Sequence, residues 1–161
     1  MKDYDENFLK EVYKVLKSEG GYVNDVSDSG GETKYGICKR SYPKCDIKNL
    51  TKYDAIEIYY RDFWEKNKIG KLPLSIRGAV FSAGINMGMR RALRLLQTLV
   101  GVSADGVIGK KTLFNILHYD GNLKKGFLNM WEDYYERLCV RFPKNKKFLN
   151  GWLNRVAEYR G

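Results

Sequence analysis

The run SEGGYVNDVSDSGGETKYGI, residues 18–37, gathers carboxylates and hydroxyls between paired glycines. Two kinds of acid are available there. Glu19 follows a helix pattern directly, whereas Asp25 and Asp28 sit in a stretch rich in Gly, Asp and Ser. Carboxyl groups in contrasting surroundings are what cleavage of a glycosidic bond requires. One, short of water, holds a proton for the leaving oxygen; the other stays ionised and activates water or stabilises the cation-like transition state. Glu19 is therefore the expected general acid, with Asp28 as its partner and Asp25 as the alternative carboxylate. Thr33 offers a hydroxyl to hold the water, and glycines let a bulky ligand approach the backbone. Blander readings compete: an Asp/Gly loop is often only a turn, and an inward Glu is sometimes a satisfied helix cap. A calcium loop fits poorly, because DVSDSGGET departs from the D-x-[DN]-x-[DN]-G spacing.

The elements that must position these groups are mostly helical. Phe8, Leu9, Val12, Val15 and Leu16 form an amphipathic stripe over residues 5–18, with Lys10, Lys14 and Lys17 opposite. At about 100° per residue the stripe runs on into position 19, so Glu19 is expected to point inward before Gly20 and Gly21 stop the helix. Residues 22–37 read as an irregular segment or small hairpin. Thr51 and Asp54 form a capping-box pair opening a helix through Trp64. Pro73 starts another, apolar almost all round and hence buried. The segment RRALRLLQTLVG follows, then the loop VSADGVIG and helical patterns at 110–118, 122–141 and 147–159. No βαβ alternation or internal repeat is present, so the expected class is mainly α. Tyr22, Tyr35 and Trp64 are candidates to stack on sugar faces, and Asn86, polar inside an apolar helix, for a substrate contact or a buried hydrogen bond. Asp105–Thr112 reads structurally as a tight turn leading into a helix.

Composition narrows the classes. The 161 residues are 43% hydrophobic and 14% aromatic, enough to build a core, and their net charge of +10 is uneven. Residues 1–87 carry 15 Lys/Arg against 13 Asp/Glu, or +2, and residues 88–161 carry 14 against 6, or +8. The expected organisation is a catalytic part, 1–87, packed as one unit with a basic helical part, 88–161, that attracts polyanions. Aromatic and basic residues are not interleaved in a nucleic-acid-binding pattern, so nucleic acid is not an expected partner. No apolar run reaches the length needed to span a bilayer, and the acidic, amphipathic start lacks the apolar core of a secretory signal. Synthesis in the cytoplasm and a monomeric state are expected. Cys38, Cys45 and Cys139 form no C-x-x-C pair, and His118 is the single histidine. Free thiols are expected, with no metal and no cofactor.

Four ordered motifs carry a resemblance. EGGYVND followed by DSGGETKYGI resembles the N-terminal signature of glycoside hydrolase family 108, the N-acetylmuramidases of phage and bacterial origin. IYYRDFWEKNKI is similar to that family's Tyr–aromatic–Trp helix. AVFSAGINMGMRRALRLLQTLVGVSADGVIGKKT resembles the junction with its C-terminal peptidoglycan-binding region, where an Asn-x-Gly precedes a Leu-Gln helix and a D-G-x-x-G-x-x-T loop. The resemblance implies a lysozyme-like helical fold and hydrolysis of the β-1,4 bond between N-acetylmuramic acid and N-acetylglucosamine, with Glu19 matching the catalytic glutamate. Asp28 and Thr33 also echo the Glu…Asp…Thr order of T-even phage lysozymes, Thr33 falling one residue short of that spacing. Peptidoglycan glycan strands are the implied partner, with anionic wall polymers as further ones. The chain would then act in the periplasm or outside, after release through a holin-type pore or another non-classical route. Two rivals stay open: a lytic transglycosylase, and a catalytically silent wall-binding phage module.

Overall fold

The structure is a computed structural model that describes residues 3–24 and 31–161. Its contacts group the chain into two compact units, residues 1–66 and 67–161.

In the first unit, α1 (Glu6–Ser18) begins at Asp5, whose side chain accepts from the Asn7 amide at 2.9 Å. Such a cap is worth about 1 kcal/mol. The stripe read from the sequence is the buried one: Phe8, Val12 and Leu16 are all inside. Gly20 follows at φ 66°, the left-handed conformation that ends helices and suits glycine. A three-stranded antiparallel sheet comes next, β1 (Val23–Asn24), β2 (Glu32–Lys34) and β3 (Ile37–Cys38), in the order β1-β2-β3. Val23 pairs with Thr33, Thr33 with Cys38 and Lys34 with Ile37. This is the small hairpin segment expected after the first helix.

Helix α2 (Lys52–Ile58) carries the full capping box: Thr51 Oγ1 accepts from the Asp54 amide at 3.1 Å, and Asp54 Oδ2 accepts from the Thr51 amide at 2.9 Å. The helix then widens into a π-helical turn, Tyr59–Glu65. In an α-helix, positions five apart differ by about 140° in direction. The wider turn lets Tyr59 and Trp64 both face inward, at 1% and 3% exposure. Phe8 meets Trp64 and Tyr60 edge-on, with ring centroids 5.4 and 5.0 Å apart. Truncating a fully buried ring such as Phe8 costs about 3–5 kcal/mol.

The second unit is all helix among its described elements: α3 (Leu74–Met87), α4 (Met89–Leu99), α5 (Lys110–Leu117), α6 (Leu123–Arg141) and α7 (Lys146–Ala157). Helix α3 is buried nearly all round, through Ile76, Ala79, Val80, Phe81, Ala83 and Met87. It packs on α4 and α6. A Cβ at Gly126 of α6 would lie 2.8 Å from Leu99 Cδ1 of α4, so a larger residue there would have to displace that side chain. The chain is mainly α, as its periodicity implies. Among the described residues, no helix is long and apolar enough to cross a membrane.

Candidate active site

Glu19 is the last residue of the helical turn, its amide still donating to Val15 O at 2.9 Å. The structure corrects one expectation about it: Glu19 does not point inward but is exposed. Glu19 is the C-cap, still αR at φ −87°, ψ −6°, and with Gly20 at φ 66° directly after it no further helical turn covers its side chain. The side chain instead lies over the hairpin turn. A Cβ added to Gly36 would stand 3.1 Å from Glu19 Cγ and 3.4 Å from Cδ.

That turn is Tyr35–Gly36, a two-residue link between the paired Lys34 and Ile37. Both residues have positive φ, 52° and 78°, the pattern of a type I′ hairpin. Glycine adopts this freely, whereas tyrosine does so at a cost of roughly 1 kcal/mol or more. Tyr59, from the π-helical turn, holds the strained residue: its hydroxyl donates to Tyr35 O at 3.0 Å. The same hydroxyl would be 2.4 Å from a Cβ at position 36. Glycine at 36 is thus required twice, by its φ and by the space that Glu19 and Tyr59 occupy. Burial, and after it the nearby Glu19 charge, push the Tyr59 hydroxyl well above the usual tyrosine range. It remains a neutral donor at any working pH.

Behind Tyr59 lies a second polar group. The Tyr42 hydroxyl donates to Asp62 Oδ2 at 2.9 Å, and Arg61 donates to both Asp62 oxygens at 2.8 Å. The Arg61 guanidinium, with help from Tyr42, holds the Asp62 carboxyl below the usual carboxylate range. On the other side of the sheet's turn, the Tyr22 hydroxyl donates to Glu32 Oε1 at 2.8 Å. The hydrogen bond to Glu32 raises the Tyr22 pKa.

The other sequence candidates fall out as follows. Asp25 and Asp28 lie outside the described residues. Thr33 is half-buried in the middle of β2, its hydroxyl 3.4 Å from Gly31 O. Tyr22 is exposed and Tyr35 half-buried, with Lys34 Nζ 5.5 Å from the Tyr35 ring centre. Trp64 offers no sugar platform: it is a core residue against Phe8, turned inward by the π-helical turn. Of the two readings of Asn86, the structure sets aside only the buried hydrogen bond. Asn86 is exposed, and its side chain donates at 2.7 Å to Ser82 O one turn back in its own helix. The sequence does not single out Gly36 and Tyr59, which hold the turn under Glu19, or Glu32, which accepts from Tyr22. Their sequence signal is faint: Gly36 alone, after a β-prone run and before Ile37, marks a hairpin turn. Among the described residues no three His, Cys, Asp or Glu side chains converge as a metal would need.

In the second unit, the D-G-x-x-G-x-x-T loop is organised by Gln97, which is 1% exposed. Its Nε2 donates to Asp105 Oδ1 at 2.8 Å, Val107 O at 3.0 Å and Thr112 Oγ1 at 3.2 Å, while its Oε1 accepts from the Gly106 amide at 2.7 Å. Gly106 has φ 82°, and a Cβ there would sit 2.5 Å from Arg90 Cγ. The motif therefore builds a turn, as its glycines suggest. Cys38, Cys45 and Cys139 are free thiols.

The glycosyl hydrolase 108 family model matches residues 12–88, and a model described as "Predicted Peptidoglycan domain" matches residues 91–157. No curated protein matches the chain. The solved structure of Brucella abortus SagA is similar to it, at 32% identity and a TM-score of 0.78, covering 95% of this chain and 91% of that one. The chain belongs to glycosyl hydrolase family 108, and is a glycoside hydrolase that acts on peptidoglycan.

Proposed function

We propose that the chain is an N-acetylmuramidase, hydrolysing the β-1,4 bond between N-acetylmuramic acid and N-acetylglucosamine with Glu19 as general acid. The observation that supports this reading is the seat of Glu19. Its carboxyl group is open to a ligand, while its stem rests on a turn that Tyr59 and Gly36 hold in one conformation. A positioned acid is worth about 10²–10⁴ in rate.

In the proposed reaction, Glu19 gives its proton to the glycosidic oxygen as the bond to the anomeric carbon breaks. A water adds to that carbon and passes its proton to a second carboxylate, Asp28 or, in its place, Asp25. Thr33 would help to hold that water. Because Glu19 is exposed in the fold, the shielding from water that favours a protonated carboxyl has to come from the bound sugar. Tyr22 and Tyr35 would contribute to it by stacking on the sugar. The substrate lies outside the cytoplasmic membrane, so the chain works on its far side, released through a pore as a phage endolysin is or exported by another route.

The test is the chemistry of the product. Purified sacculi digested with the intact protein should yield muropeptides ending in reducing N-acetylmuramic acid, as read by mass spectrometry. Anhydro-muramic ends, lighter by one water, would instead make the protein a lytic transglycosylase. No release at all would leave a wall-binding module.

A further inference from the structure

Glu19 changes charge during the proposed reaction: once its proton is on the leaving oxygen, the side chain is a carboxylate. Among the described residues, Glu19 has no ion pair and its carboxyl accepts no hydrogen bond. The neighbour able to respond to the new charge is Tyr59. A Cβ at Gly36 would stand 2.4 Å from the Tyr59 hydroxyl and 3.4 Å from Glu19 Cδ. The hydroxyl and the carboxyl therefore flank the same small space above Gly36, which stays open because glycine has no side chain. Charge is felt across it: after burial, the Glu19 carboxylate is the next cause that pushes the Tyr59 hydroxyl up.

The Tyr59 ring is fixed, 1% exposed and tilted against Phe63 with centroids 5.3 Å apart. Its proton is not. A phenol O–H turns about its C–O bond, so the donor that serves Tyr35 O at 3.0 Å can serve another acceptor beside the same oxygen. Two acceptors then compete for one proton: a peptide carbonyl, always neutral, and an acid whose charge changes. While Glu19 is neutral, its carboxyl offers no advantage over the carbonyl. Once it is ionised it accepts about twice as strongly, and the preference reverses.

We propose that Tyr59 is a positioning residue that follows the charge of Glu19. Its hydroxyl donates to Tyr35 O while Glu19 holds its proton, and turns to donate to the Glu19 carboxylate as that proton passes to the glycosidic oxygen. The Tyr59 proton stays on Tyr59 throughout. The one proton transferred is that of Glu19, and the electrons of the breaking bond to the anomeric carbon leave with the departing oxygen. Because the new hydrogen bond forms only as charge develops, it lowers the barrier to the chemical step and leaves substrate binding unchanged. Gly36 serves this step too, since a side chain there would fill the space between the two groups. The proposal rests on the reading of Glu19 as general acid.

The test is steady-state kinetics of the full-length protein on a soluble oligosaccharide of alternating N-acetylglucosamine and N-acetylmuramic acid, with a thermal melt of each variant. Tyr59→Phe keeps the ring and removes the hydroxyl. Its kcat should fall about tenfold, the worth of one hydrogen bond to a charged group, with KM within about twofold of the wild type. Tyr35→Gly relieves the positive φ that Tyr59 braces, and in that background Tyr59→Phe should cost the same factor in kcat. An unchanged kcat in Tyr59→Phe overturns the proposal. So does a loss that vanishes in the Tyr35→Gly background, which would make Tyr59 a brace for the turn alone. If Tyr59→Phe does not fold, a crystal structure of the wild type with Glu19 ionised decides. The Tyr59 oxygen within hydrogen-bond distance of the Glu19 carboxylate supports the proposal, and a hydroxyl still bonded only to Tyr35 O overturns it. Failure of the general-acid reading shows separately: full activity of Glu19→Gln removes both, whereas an inactive Glu19→Gln beside a fully active Tyr59→Phe removes the proposal alone.

Discussion

Two bent, polar, glycine-rich segments occur in this chain, and the structure treats them in opposite ways. In the loop after α4, the buried Gln97 side chain bonds to Asp105, Gly106, Val107 and Thr112, and Asp105 also accepts from the Val107 amide. Beside the end of α1, Tyr59 holds the Tyr35–Gly36 turn on which the Glu19 stem rests, yet Glu19 is exposed. The first arrangement spends its polar groups on its own shape. The second leaves one facing solvent, as the proposed general acid requires. Sequence composition alone does not separate the two, since both offer Asp, Gly and Thr at close spacing.

The comparison can be broken most directly at Glu19. Glu19→Gln preserves size and hydrogen bonding but removes the transferable proton, so lysis of sacculi should fall by about 10²–10⁴ with the melting temperature nearly unchanged. Retention of more than a tenth of the activity would remove Glu19 from the catalytic role. Gly36→Ala should act next most strongly. It forces a Cβ against the Tyr59 hydroxyl and the Glu19 stem at a positive φ. Displacement of the acid by an ångström costs on the order of 10²-fold in rate, accompanied here by a lower melting temperature. Adding Tyr59→Phe should recover part of that activity, because the oxygen 2.4 Å from the new Cβ is gone. No recovery would mean that backbone strain alone does the damage.

Gln97→Ala tests the other region. It strands buried hydrogen-bonding groups at about 1–3 kcal/mol, so a scan should show the melting temperature falling by several degrees. An unchanged melt would show that the loop does not depend on the clamp.

The smallest effect concerns pH. Asp62 has its carboxyl pKa lowered from 3.8, by Arg61 first and Tyr42 with it. Its contribution to stability is therefore full above pH 3.8 and is lost as pH falls through the lower folded value. Asp62→Asn should lower stability slightly at neutral pH and flatten its decline below pH 4. The effect is modest, because the ion pair with Arg61 is largely solvated. An acid limb identical to that of the wild type would assign the decline to other carboxylates.

Much of the fold is legible in the chain because the signals are local. The stripe of Phe8, Val12 and Leu16, the Thr51–Asp54 capping box and the all-round apolar pattern after Pro73 each act within a turn or two of helix. Glu19 stands out in the same way, as a carboxylate at the end of an apolar face beside glycines. The rest is decided by partners distant in sequence. Trp64 looks like a surface for sugars until the π-helical turn directs it onto Phe8. Gly36 looks like an ordinary turn residue until Glu19 and Tyr59 fill the space beside it. Glu19 looks buried until the helix ends on it and Gly20 turns the chain away. Local periodicity determines which residues form helices and where they stop. Only the tertiary structure decides which polar group is consumed by its neighbours and which is left facing solvent, because that depends on contacts the chain makes after it has folded back on itself.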